Sequence, residues 1–351
     1  MEERFYYKGA IHIHSSLSDG TGNINIISKA AKKAGLDFIV ITDHNYIDAD
    51  EGIINGVYVI KGQEISPHTC NHYLTFGVNE VVNLDENPQV YVNKVRKLGG
   101  FGFAAHPDEG ITTDKNGNYF PRKNSNHCIP WLDKNVKPDG IEIWNWFSNW
   151  ADNLNDKNIF TLAYAFLFKH KIITNPSKLT LDWWDKLNNE SENIIPALGG
   201  VDAHALKINK YIIPVTVFPY KTCFETITNI INMKEPLSKD FQKAKEQILS
   251  AIKQGNNLII NRKFSKDIPI FYISNNKDFA YCGGKVELTD GAFFNIKLNK
   301  KSDIKIMLNG EEIKTLKSNS CTIPINKKGK YRIEFYYGKK GFAYSNPILV
   351  Q

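Results

Sequence analysis

Cysteine is scarce and poorly placed for pairing. The 351 residues hold five, Cys70, Cys128, Cys223, Cys282 and Cys321, an odd number with no Cys-x-x-Cys pair. This argues against a disulfide framework and a zinc ribbon, and it suits a reducing compartment. Cys70 falls between Glu64 and His72, where a ligand role and simple buried filler are both open. Long apolar runs are lacking too. The longest nearly apolar stretch, Ile159 to Phe168, is too short to span a bilayer, and Met1 to Arg4 leave no room for a signal peptide ahead of Phe5. A cytoplasmic protein with no membrane partner is expected. There is no block of Lys and Arg, since 44 basic residues against 37 acidic ones give a formal charge of +7 that is scattered along the chain. No stable nucleic-acid partner is expected, whereas the basic balance permits a small anionic substrate. Internal repeats and low-complexity tracts are absent.

What the chain does have is histidine and carboxylate at the ends of short apolar runs. Ile11-His12-Ile13-His14 reads as an extended strand in which residues i and i+2 point the same way, so His12 and His14 can share one cation. A turn-rich loop follows, carrying Asp19 into the amphipathic stretch Ile24 to Ala34. The next run, Phe38 to Thr42, delivers Asp43 and His44. Val57 to Gly62 ends in Gln63-Glu64, His72 to Val78 opens on an imidazole, and Phe101 to Ala105 stops at His106-Pro107. His68 competes with His72 for the same rim but stands in a Pro-His-Thr loop. Ile24 to Ala34 and Pro88 to Leu98 read as helices stopped by Gly35 and Gly99-Gly100. Alternation of this kind predicts a parallel sheet or barrel with its reactive rim at the strand C-termini.

Residues 108 to 130 read as a long polar loop beside His106, with Arg122, Lys123 and His127 as candidates for gripping a substrate phosphate; solvated loop charges are the alternative. Gly140 to Asn145 reads as a further strand bearing Glu142 and Asn145 near its end. All six tryptophans lie between Trp131 and Trp184, in or beside a stretch that reads as helical from about 149 to 187 with a break at Asn175-Pro176. Either they form an aromatic wall for a base or sugar, or they pack an insert onto the main body. Ile194 to Val201 reads as the last strand of this series and ends in Asp202-Ala203-His204, again spaced i, i+2. Ser238 is placed to cap a helix from about Lys239 to Lys253, closed by Gly255. From about Lys266 the pattern changes to period-two runs separated by turns such as Asn309-Gly310, which predicts a small all-β sandwich.

Gly9-Ala10-Ile11-His12-Ile13-His14 through Ser18-Asp19-Gly20, with Ile41-Thr42-Asp43-His44-Asn45, resembles the start of a PHP domain, the polymerase and histidinol phosphatase superfamily. The resemblance continues in Gly62-Gln63-Glu64-Ile65, Ala105-His106-Pro107 and Gly200-Val201-Asp202-Ala203-His204, and spans about the first three quarters of the chain. Segments similar to Gly140 to Asn145 also occur in PHP proteins, so Glu142 is a further candidate at or behind the ligands. The resemblance implies that His12, His14, Glu64 and Asp202 hold one metal, that Glu64, His72 and His106 hold a second, and that Asp19, His44 and His204 hold a third. Asp19 stands where many family members carry histidine, implying a third ion that is bound more weakly or chosen differently. Asp43 is expected to orient a ligand imidazole and not to touch metal.

The expected fold is therefore α/β: a distorted (β/α)7-type barrel over residues 1–264, with a helical insert at about 149–190, then an immunoglobulin-like sandwich over 265–351. So many imidazole and carboxylate ligands without thiolate suit two to three divalent ions, zinc, manganese or iron, in a hydrolytic role. The expected activity is phosphoester hydrolysis of a phosphomonoester or small nucleotide-like substrate. A water activated by the ions attacks, and no Ser or Cys nucleophile is required. Two alternatives remain open: an amidohydrolase-type C–N hydrolase, for which no carboxylated lysine stands out, and a metal-stabilised binding module without catalysis.

Overall fold

The computed structural model describes residues 3–113, 119–121, 129–153, 167–208 and 215–351. Arg122, Lys123 and His127 lie outside the described residues. Strand β1 (Phe5–Ala10) runs parallel to β2 (Phe38–Ile41), preceded by helix α1 (Ile24–Lys33). Asn23 caps α1 by accepting from the Ile26 amide, Lys32 and Lys33 sit in its last turn, and Ile24, Ile27 and Ala31 form its buried stripe. After the short β3 (Gly52–Ile54), β4 (Val57–Ile65) pairs parallel with β2 and antiparallel with β5 (Tyr73–Phe76). Helix α2 (Pro88–Lys97) has proline in its first turn and Asn87 as its cap. Strand β6 (Phe101–Ala104) follows, antiparallel to β5.

A small hairpin of β7 (Ile111–Thr113) and β8 (Tyr119–Pro121) separates β6 from β9 (Gly140–Asn145), which pairs parallel with β6 and with β10 (Ala197–Gly200). The series then returns to its beginning. The Val201 amide donates to the Ile11 carbonyl at 3.0 Å, the His14 amide donates to the Ala203 carbonyl at 3.0 Å, and Ile13 bridges Ala203 in parallel register. Alternate residues serve different apolar clusters, as the two-residue period of a strand requires. Phe38 and Val40 pack with Ile60, Leu74, Phe76, Phe101, Phe103 and Leu198. Ile39 and Ile41 pack with Ile27, Ala31 and Tyr91.

The expected strand Ile11–His14 is a correction. Pairing of β1 ends at Ala10, and His12 has a φ of 67°, so the two imidazoles do not converge through an extended i, i+2 geometry. His106 (φ 27°) and Asp202 (φ 50°) are left-handed as well. Each such non-glycine residue costs roughly 1–3 kcal/mol of local strain, and all three turn a side chain inward where a strand stops.

The tryptophan-rich stretch contains α3 (Trp146–Asp152), α4 (Lys169–Ile172) and α5 (Lys178–Glu190). All six indoles are buried, none more than 6% exposed. They pack against neighbours: Trp131 on Trp183, Trp150 on Phe218, Trp144 on Tyr344. They therefore offer no open aromatic wall. After the two-residue strands β11 (Lys207–Ile208) and β12 (Val215–Thr216) comes the short α6 (Tyr220–Phe224), then β13 (Ile227–Met233), α7 (Phe241–Gln254) and β14 (Asn257–Asn261). Asp240, not Ser238, caps α7: its side chain accepts from the Lys243 amide, one orphan donor of the first turn.

The C-terminal strands from Ile270 to Val350 are antiparallel except for one short parallel pair, and Asn309-Gly310, both at positive φ, turn the longest hairpin. They are not detached from the rest. Leu258, Ile259 and Ile260 pair with Ser345, Tyr344 and Ala343, so the sheet continues from β14 into the C-terminal strands. Helix α5 is also held to them. The Lys330 ammonium donates to the carbonyls of Asn188, Ser191 and Asn193 at its C-terminal end, and Arg332 grips Asp185 with two hydrogen bonds of 2.9 and 2.7 Å.

Candidate metal centre

Nine side chains from across the sequence converge where β1, β2, β4, β6 and β10 end. They form four interlocking groups whose potential ligand atoms lie within 4.8 Å of one another: His14, Asp19, His44 and His204; His12, Glu64 and His106; His12, His14 and Asp202; His44, Glu64 and His72. Glu64 lies at the centre. Its Oε2 lies 3.4 Å from His12 Nε2, 3.5 Å from His14 Nε2 and 2.9 Å from His44 Nδ1, and its Oε1 lies 2.9 Å from His72 Nδ1 and 3.2 Å from His106 Nε2. Asp202 Oδ1 faces His14 Nε2 at 3.2 Å and His12 Nε2 at 3.5 Å. His204 Nε2 turns instead to Asp19 Oδ1 at 3.2 Å. Of the two alternatives at the fourth strand, His72 is in the cluster and His68 is exposed on the surface.

The cluster has a closed side and an open side. His12, His14 and Glu64 are fully buried, whereas Asp19 is 53% exposed and His44 29%. Ligand approach is therefore from the Asp19–His44–His204 side. The loop that carries Asp19 is clamped: the Tyr220 hydroxyl donates to the His14 carbonyl at 2.8 Å and accepts from the Gly22 amide. A Cβ on Gly20 would stand 2.1 Å from that same carbonyl oxygen, so the loop closes only over glycine.

Asp43 does not face an imidazole. Its two oxygens accept from the Ser15 amide, the Ser15 hydroxyl and the Ser18 hydroxyl at 2.6–2.7 Å, which ties the loop to the end of β2. The carboxylates that do orient imidazoles are Glu142, 2.9 Å from His12 Nδ1, and Glu109, 3.0 Å from His106 Nδ1. Glu109 in turn accepts from the Ser148 hydroxyl. Its only mark in the sequence is its place three residues beyond His106.

Burial alone would push the imidazoles down in pKa and the carboxylates up, but mutual attraction outweighs it in most of them. Asp202, Glu142 and Glu64 hold His12 well above the usual value, and Glu109 and Glu64 do the same for His106. Glu64 and Asp202 are held well below the carboxylate range, against burial, chiefly by the charge of His12. His14 is the exception: burial, then the charge of His204, lowers it to about 3, so it is neutral and ready to donate a lone pair. His204 rises to about 9 against burial because Asp19 and Asp202 face it.

A proton-release prediction follows for the metal-free chain. With a folded pKa above the unfolded one, protonated His204 adds stability that is complete below about 6.5 and is lost as pH rises through about 9. A cation binding there displaces that proton, so its apparent affinity rises about tenfold per pH unit below about 9. Titrating metal-free protein with Mn²⁺ at pH 7.5 is expected to release at least one proton per chain, and Asp19→Asn to reduce the release. Proton-neutral uptake would contradict the assignment.

No protein-family model matches the chain. The uncharacterized protein MJ1587 of Methanocaldococcus jannaschii is 29% identical over 154 residues, covering 39% of this chain and 81% of that protein. Among solved structures, a two-domain Bacteroides vulgatus protein containing a predicted PHP-like metal-dependent phosphoesterase aligns over 98% of this chain and 95% of its own, with a TM-score of 0.47 and 14% identity. PsfC from Pseudomonas syringae aligns over 68% of this chain and 87% of its own, with a TM-score of 0.37 and 15% identity. Both structural likenesses are distant.

Proposed function

We propose that the chain is a metal-dependent phosphoesterase that hydrolyses a phosphomonoester or a small nucleotide-like phosphate ester. The carrying observation is the donor chemistry of the cluster. His12 Nε2 and His14 Nδ1 are buried without a hydrogen-bond partner, and the buried His14 Nε2 and Glu64 Oε2 meet other members of the cluster, Asp202 at 3.2 Å and His44 at 2.9 Å. Orphaned lone-pair donors at such density, facing one another, have the composition of a site for cations.

On this reading His12, His14, Glu64 and Asp202 hold one ion, Glu64, His72 and His106 a second, and Asp19, His44 and His204 a third. Nitrogen and oxygen donors without thiolate suit zinc, manganese or iron. Such ions supply charge for the phosphoryl oxygens, acidify a water for in-line attack and stabilise the leaving oxygen. The protein's own part is to hold neutral His14 and the central Glu64 in fixed geometry, to exclude water on the closed side, and to leave the Asp19 side open. Three divalent ions would outweigh the five carboxylates in and against the cluster, Asp19, Glu64, Asp202, Glu109 and Glu142, and so favour an anionic substrate. The described arginines are engaged elsewhere: Arg4 on Asn232, Arg96 on Asp139, Arg262 on the Ala34 carbonyl and Arg332 on Asp185. Arg122, Lys123 and His127, candidates by their place in the sequence after His106, are proposed to grip the phosphate.

The ring of strands is read as a distorted (β/α)7-type barrel over 1–264 with its insert at about 149–190. The strands of 265–351 are read as an immunoglobulin-like sandwich that braces the insert. The test is turnover by protein loaded with zinc, manganese or iron. 4-Nitrophenyl phosphate, its bis-ester, nucleoside monophosphates and a panel of amides are the substrates. Phosphoester hydrolysis is expected. Turnover of amides alone would transfer the site to C–N chemistry, and inertness of the fully loaded protein would leave a binding module.

A further inference from the structure

We infer that Glu142 is a positioning residue that fixes the tautomer of His12 and joins two of the metal positions into one unit; this rests on the metal-dependent reading above. Glu142 is 1% exposed and uses both oxygens. Oε1 lies 2.9 Å from His12 Nδ1, and Oε2 accepts from the His106 amide at 2.6 Å and from Asn145 Nδ2 at 3.1 Å. Asn145 Nδ2 also reaches Asp202 Oδ2 at 3.3 Å. One carboxylate thus touches His12 directly, sets the backbone of His106, and reaches Asp202 through a single amide.

The chemistry follows from what a carboxylate can do. As an acceptor only, Glu142 requires the proton of a neutral His12 to sit on Nδ1, which leaves the Nε2 lone pair aimed at Glu64 and Asp202, 3.4 and 3.5 Å away. It also holds His106 at its left-handed φ of 27°, since the amide it accepts from belongs to that residue. Two imidazoles just beyond the ends of different strands, one facing the Glu64–Asp202 pocket and one facing Glu64 from the other side, are thereby indexed to the same carboxylate.

The last strand makes room for this arrangement. A Cβ on Gly200 would lie 1.6 Å from Glu142 Oε1, so the position directly before Val201 and Asp202 accepts only glycine while the carboxylate stays where it is. Glu109 provides an internal comparison. It faces His106 Nδ1 and Ser148 and touches neither His12 nor Asp202, so it orients one imidazole alone.

Glu142→Gln has the same shape and the wrong pattern of donors. Its single oxygen can accept from the His106 amide, and the amide nitrogen then faces His12 Nδ1 and drives the proton to Nε2, the ligating atom. In the flipped orientation the nitrogen meets the His106 N–H and leaves it unpaired.

The experiment is a Zn²⁺ titration of metal-stripped protein against a chromophoric chelator, with thermal unfolding of the metal-free form as the fold control and ¹⁵N imidazole NMR of the loaded form as the tautomer readout. Wild type is expected to load the two buried positions together. Glu142→Gln should weaken both by about 10–100-fold, separate them into two steps and move the His12 proton, while the metal-free form still unfolds cooperatively at a midpoint lowered by the lost His12–Glu142 pairing. Glu109→Gln should weaken one position only. Gly200→Ala, whose Cβ would lie 1.6 Å from Glu142 Oε1 and 3.1 Å from His12 Cβ, keeps every donor while displacing the carboxylate from His12; it should weaken the same two positions and supplies the test if Glu142→Gln fails to fold. Wild-type affinity in both variants, or an effect confined to one position as in Glu109→Gln, would overturn the inference while leaving the metal site standing. A wild type that takes up no zinc would overturn the metal reading itself and this inference with it.

Discussion

Asp202→Ala is expected to lose at least one metal ion per chain and to lower phosphoester turnover on the order of a thousandfold or more. Asp202 Oδ1 lies between His12 Nε2 and His14 Nε2, and the same atom is 3.5 Å from His204 Nδ1, so its removal opens the groups on the closed and open sides together. The substitution also takes away the largest of the attractions that hold His12 well above its usual pKa, so the ring becomes easier to deprotonate and no compensating ligand appears. Both losses are read on one preparation, as metal content and as turnover of 4-nitrophenyl phosphate. Retention of full metal content with unchanged turnover would remove Asp202 from the site.

Arg332→Ala should cost about 3 kcal/mol of stability, because it strands the buried Glu334 and the half-buried Asp185. The Arg332 side chain is 3% exposed, forks onto Asp185, pairs with Glu334 and lies 5.3 Å from the Trp184 ring. Glu334 also accepts from the Tyr336 hydroxyl. Burial already holds Asp185 above the usual carboxylate range despite its partner, so loss of the guanidinium leaves an ion with little water to solvate it. Replacing the set together, as Arg332→Met with Asp185→Asn and Glu334→Gln, should recover most of the loss, since no charge is then left unpaired. Urea unfolding measures both. A loss under about 1 kcal/mol would place the network with ordinary surface pairs and would weaken the view that the C-terminal strands brace the insert.

Residue type and order carried much of the site. Imidazole and carboxylate at the ends of successive apolar runs mark strand C-termini, and with Asp19 from a loop and His72 from the start of a run they fall into the interlocking groups, whose role as a metal site is the proposal above. The local geometry was less visible. A left-handed φ at His12, His106 or Asp202 has no signature in a non-glycine residue, so Ile11 to His14 reads as a strand although pairing stops at Ala10. Asp43, expected to orient a ligand imidazole, is a correction. In the folded chain it is nearer to Ser15 and Ser18, and the orienting carboxylates come from β9 and from the turn after His106. Tyr220 holds the His14 carbonyl from 206 residues away, a separation at which no local pattern operates. The same holds for the pairing of β14 with Tyr344 and its neighbours, which only the assembled sheet reveals.

The central claim is that these donors hold metal, and the direct measurement is transition-metal content per chain by plasma mass spectrometry on protein purified without chelator. About two to three ions of zinc, manganese or iron are expected per chain, lost on chelation and restored with turnover on reloading. Near-zero content that none of these metals restores would contradict it.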